Sequence, residues 1–395
     1  MSSTFLDAPN RTFDESLRRP SLSLDPREEM ERRIPKYLQP FMTWLTAKPS
    51  SRPCRTRTPA YHVATAFILL ASGIVLSIAV LGLAESIACA ALLPLALILT
   101  TSGMGKLQAV VYHHCAHGTV FRNRNVNAQV GRAIGILLLV KQFDAYQTEH
   151  MLHHNPKKLL TDDDEFAQFV FNLCGLRLGL PKSLVWRQVI LSFISPFFHL
   201  RFLLARISSN LLSRSIAHNA VALIYWIVLL WAVTVTDQWL VFLVAWLFPL
   251  IVLFQLATAL RVFCEHRFPE ADIIAVRDKR FVGHATTGVF AGVAPPAATR
   301  NAFNGLLEWT VWWMRMLTLH LFERVFVLVG DAPAHDFHHR HPASRKWANY
   351  IYAREADRQA GCPGYPVNYI ESWGLFRTID ENFGLMSAAT MPRSD

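Results

Sequence analysis

His335–His341 reads HDFHHRH, and two earlier stretches repeat its logic, HHCAH at His113–His117 and HMLHH at His150–His154. Residues three and four apart stand on one face of an α-helix, so the spacing predicts three helical racks. They are His113 with His117, His150 with His153 and His154, and His335 with His338 and His339. Neutral imidazole suits iron, copper, zinc and nickel, and eight such rings are too many for one ion of ordinary coordination number. An isolated histidine on a helix is more often a packed or surface residue than a ligand. Three clusters are different, because crowded imidazoles without metal are unpaired polar rings or mutually repelling cations. The pattern therefore predicts a fold that gathers distant segments around two metals.

The rest of the chain says where that fold sits. Of 395 residues, 52% are hydrophobic and 17% charged, against about 25% charged in a typical soluble domain. Apolar runs cover His62–Ala84 and Ser86–Gly105, split by Glu85, then Ala220–Thr236 and Trp239–Leu260, split by Asp237 and Gln238. A crossing takes about twenty residues, so four transmembrane helices in two hairpins are expected. Neither link carries Lys or Arg while the flanking segments are rich in them, which puts both links outside and both termini in the cytoplasm. All three racks then lie on the cytoplasmic side. The expected fold is an all-α integral membrane protein whose cytoplasmic helical cap holds a di-metal site. Continuing the fourth crossing as a helix carries Glu265 and His266, in RVFCEHR, just beyond the membrane core, mirroring the first rack after the second crossing. His266 is thus a candidate ninth ligand.

Three regions follow: a cytoplasmic segment 1–58, a membrane domain 59–341 and a cytoplasmic cover 342–395. The first twenty-five residues read as disordered, with no apolar core of a secretion signal, and Glu29–Leu45 as a short amphipathic piece on the membrane surface. Pro181–Ile216 carries Arg187, Arg201, Arg206 and Arg214 on an apolar background. It is expected along the interface with its arginines reaching headgroups, since a fifth crossing would put the last rack on the wrong side. His199 within it is expected to pack rather than to ligate. Asn304–Leu328, broken by Glu308, Arg315, Glu323 and Arg324, reads as an interfacial amphipathic helix with His320 structural. The acidic run TDDDE at Thr161–Glu165 reads as a solvated loop, with a weaker case for orienting ligand imidazoles. Gly361, Pro363, Gly364 and Pro366 make the tail look irregular, and no fused electron-carrier motif is present. The six cysteines form no CxxC pair or regular framework, and Cys115 and Cys264, beside histidines, are expected to pack. The net charge of +10 suits anionic lipid or an acidic protein partner; no basic-aromatic motif accompanies it, so no nucleic-acid partner is expected.

From about Val63 to His341 the chain resembles the membrane di-iron fatty acid desaturase and hydroxylase superfamily, whose HxxxH, HxxHH and HxxHH boxes stand here at His113–His117, His150–His154 and His335–His339. The family also has a metal-binding histidine after the fourth crossing, which RVFCEHR resembles. The resemblance implies metal ligands His113, His117, His150, His153, His154, His266, His335, His338 and His339. It implies two iron ions, O2 as co-substrate, a fatty acyl substrate and an external electron donor of ferredoxin or cytochrome type. Where the family often has an acid after the first box histidine, this chain has His114, either an outer group or a spare ligand, and His341 is similarly open. Desaturation is the leading expectation; hydroxylation, or decarboxylation of a fatty acid to a terminal alkene, begins with the same hydrogen abstraction. The competing class is a metal-binding membrane protein without catalysis. A transporter of that kind would place polar groups within its crossings, and these runs hold few.

Overall fold

The computed structural model describes residues 25–51, 56–82, 90–297 and 301–389. The expected disorder before Asp25 and the Glu85 link lie outside them. Among the described residues, four helices are long and apolar enough to cross a membrane: Pro59–Gly82, Leu93–Ala116, Ile216–Val235 and Trp239–Glu265. The first two pack antiparallel at very close range, because Gly73 lies against Ala96 and Thr100, and Gly103 against Leu70. Small residues permit this approach where lipid offers no hydrophobic drive for helices to associate. The third span instead turns Leu223, Ile227, Trp231 and Val235 outward.

The second and fourth spans are the ones that reach the histidines, and neither is a uniform α-helix. The second widens into π-turns over Leu107–Tyr112 and returns to α-helix over His113–Ala116. The fourth carries π-turns over Leu243–Leu247 and Pro249–Leu253, where Pro249 has no N–H to donate. It ends at Glu265, and His266 is already extended.

Five expectations are corrected or refined here. Glu29–Leu45 is not a free surface piece. Helices Pro26–Arg33 and Gln39–Thr46 bury Met30, Ile34, Met42 and Leu45 against Trp312 and Met316. Pro181–Ile216 is two helices, Lys182–Ile194 and Pro196–Leu211, meeting at 75°. Arg206 does not reach outward from them: it is buried and donates to the carbonyls of Leu138, Leu139 and Leu250. In the Asn304–Leu328 segment the hydrophobic side Leu306, Val311 and Met314 is exposed, but Glu323 and Arg324 are buried, Arg324 donating to the carbonyls of Trp44 and Gly330. The tail is not irregular, since it holds helices Tyr350–Gln359 and Leu375–Ala388. Nor is the fold purely helical, because Gly288–Phe290 pairs in parallel with Glu371–Trp373.

Candidate metal centre

The nine histidines converge into two groups. His113, His117, His150, His154 and His338 each bring one ring nitrogen within 4.8 Å of the others, and so do His153, His266, His335 and His339. In the first group Nε2 faces Nε2 at 2.7 Å between His113 and His338, at 3.1 Å between His117 and His150, and at 3.1 Å between His150 and His154. In the second, His339 Nε2 stands 3.2 Å from that of His266 and 3.1 Å from that of His335. With metal–nitrogen bonds of about 2.1 Å, neighbouring ligands at right angles lie roughly 3 Å apart, so these spacings fit imidazoles sharing an ion.

Helix geometry divides the racks. His150 and His154, one turn apart, enter the first group, while His153 between them points to the second. On the short helix His335–Arg340, His335 and His339 share the second group and His338 enters the first. The expectation that each rack faces one way is therefore refined: pairs spaced by four residues stay together, and the intervening ring crosses over.

With Nε2 turned inward, the Nδ1–H of several rings is held from behind. His150 donates to Glu165 at 2.9 Å, His153 to Asp164 at 2.6 Å, His338 to the Tyr350 hydroxyl at 3.1 Å and His113 to that of Tyr146 at 3.3 Å. His335 Nδ1 is 3.9 Å from Glu265. Such outer partners fix the tautomer and ring orientation of a ligand. The solvated-loop reading of TDDDE is thus corrected for its last two residues. Asp162 and Asp163 are exposed, but Asp164 is fully buried, caps a helix turn through Phe166 N–H and accepts from His153. Nothing in the acidic run itself separates Asp164 from its exposed neighbours.

Burial sets the charge of the rings. It lowers His117 to about 2, with the neighbouring His150 adding to the effect. It likewise holds His150, His154, His266, His335, His338 and His339 well below the ordinary imidazole range, so they stand as neutral donors. His153 goes the other way. Burial opposes its protonation, but the charge and hydrogen bond of Asp164, with Glu165 and Glu265 nearby, raise it.

A family model for fatty acid desaturases matches residues 87–373. The chain belongs to the fatty acid desaturase family. No match is found among curated proteins or among solved structures.

In this desaturase-family chain the other histidines lie outside both groups. His114 bonds Asp331 at 2.8 Å and stacks on Trp347. His341 faces Asp357 at 3.3 Å. His199 bonds Gln255 and the Phe193 carbonyl, and His320 bonds Glu323. Cys115 and Cys264 are buried and free. Beside the histidines opens a cavity of about 560 Å³, reached by His113, His150, His153, His266 and His335. Its walls come from the second and fourth spans, from the π-turns Gln168–Leu173 and from the helix Pro196–Leu211. That volume lies within the roughly 300–1,000 Å³ of small-molecule sites.

Proposed function

We propose that this chain is a membrane fatty acid desaturase, an O2-dependent di-iron oxidoreductase that removes two hydrogens from an unactivated position of a fatty acyl chain. The reading is carried by one observation: two groups of inward-facing imidazole nitrogens flank a cavity that runs between apolar helices. His113, His117, His150, His154 and His338 would hold one iron, and His153, His266, His335 and His339 the other. Two irons there supply the reduction of dioxygen and the oxidising power for an unactivated C–H bond. The protein does the rest. Asp164, Glu165, Tyr146 and Tyr350 orient the rings, Phe166 packs its ring tilted against His266, and Phe169, Phe202 and Phe254 give the chain an apolar wall. Positioning one methylene beside the site in this way converts binding into selectivity of attack.

The distribution of Lys and Arg supports a cytoplasmic face for both termini and the histidines. The excess positive charge there suits an acidic ferredoxin or cytochrome as electron donor. The deciding experiment is mass analysis of products from labelled fatty acids given to the purified protein with an electron donor and O2. Loss of two hydrogens with carbon number intact is expected. Added oxygen would make it a hydroxylase, and a missing carbon a decarboxylase. Metal analysis tests the centre separately, with about two irons per chain expected; zinc alone would instead support a non-catalytic metal-binding protein.

A further inference from the structure

We infer that Arg261 anchors the carboxylate of an unesterified fatty acid, so that oxidation falls near the carboxyl end; this rests on the acyl-chain reading above. Arg261 lies near the end of the fourth span and lines the cavity beside Glu265 and His266. Its Nη1 donates to both oxygens of Glu265 at 3.3 Å, long for a charge-assisted pair, which closes to about 2.7–2.9 Å when tight. Among the described residues its Nε and Nη2 have no partner, and its side chain keeps 15% exposure.

The other cations lining the cavity are committed. Lys141 pairs with Glu149, and the Arg206 guanidinium donates to three backbone carbonyls. Arg261 alone among them offers an unused edge, and the planar Nε–Nη2 fork matches the two oxygens of a carboxylate. A cation at a span's end that only neutralised Glu265 would not need that edge open to the cavity. Position then limits chemistry. Glu265 bridges Arg261, 3.3 Å away, to His335 Nδ1, 3.9 Å away, so a carboxylate on the free fork keeps the first few carbons by the histidines. The hydrocarbon tail runs on along Phe169, Phe202 and Phe254.

The test is binding without turnover: full-length, metal-loaded protein in detergent, kept anaerobic, titrated by calorimetry with palmitic acid and with methyl palmitate. The acid is expected to bind on the order of tenfold tighter or more, the size of a charge-assisted hydrogen-bond pair. Arg261→Gln should erase that preference, Arg261→Lys should restore part of it, and iron content should stay unchanged in both. Equal affinity of the wild type for acid and ester overturns the proposal, as does a preference surviving in Arg261→Gln. If that variant does not fold, the wild-type comparison and the position of oxidation decide, a mid-chain product counting against the anchor. Acid and ester oxidised equally well would leave the desaturase reading standing and the anchor refuted. Oxidation of neither would sink the desaturase reading while the titration still judges Arg261.

Discussion

Asp164 is the carboxylate that His153 hydrogen-bonds. It is fully buried, accepts from His153 Nδ1 at 2.6 Å, and also accepts from the backbone N–H of Leu160 and Phe166, so its position is fixed by the loop it caps. Asp164→Asn keeps the shape but removes the charge, and loss of such an outer partner costs about 10- to 100-fold in metal affinity. The expected outcome is that one of two irons is lost on dialysis against a chelator that leaves the wild type loaded, while the exposed Asp162→Asn behaves as wild type. Iron retained equally by Asp164→Asn would show that His153 orients itself. The histidines were legible in the chain because spacings of three and four survive in any helix. Asp164 was not, because an acidic run looks the same whether its last carboxylates turn outward or inward. The difference is made by the helix cap, in which Asp164 accepts from the N–H of the buried Phe166.

Among the elements, the first two spans show how little space the membrane packing leaves. A Cβ at Gly103 would stand 2.5 Å from the Leu70 backbone nitrogen, an atom that cannot move aside as a side chain would. Gly103→Val should therefore separate the spans and cost more than the roughly 1–3 kcal/mol of ordinary overpacking. A fall in melting temperature in detergent is the readout; Gly82→Val, where a Cβ meets nothing among the described residues, is the control. Melting at the wild-type temperature would refute the close packing. The four apolar runs were readable because they hold neither Lys nor Arg. The burial of Arg206 was not, because it looks like an interfacial charge until its three carbonyl partners are known. The last helix did leave a signal: Leu375, Ile379, Phe383 and Met386 recur at helical spacing and are all buried. The glycines and prolines just before it masked that period.

At the scale of the whole molecule, one buried charge network ties both ends of the chain to the third histidine box. Arg354 donates to both oxygens of Asp336, between His335 and Phe337, and at 2.7 Å to Glu371; Lys48 pairs with Glu371 and with Asp25. Arg354 and Asp336 are each 1% exposed, so neither charge has water to fall back on. Removing one partner of a buried pair costs about 3–5 kcal/mol, because the charge left behind is uncompensated. Arg354→Leu should therefore melt well below the wild type. It should also lose iron, since the helix His335–Arg340 carries histidines of both groups and Asp336 is its tether. Arg354→Lys offers a point charge in place of a fork, cannot reach both carboxylates with the same geometry, and should fall between the two. If Arg354→Leu melted lower but kept its iron, the network would serve the fold alone; unchanged melting would mean that Asp336 finds another partner. The site thus depends on residues from Asp25 to Glu371, because Arg354 joins the helix that carries three of the histidines to Glu371 and, through Lys48, to Asp25.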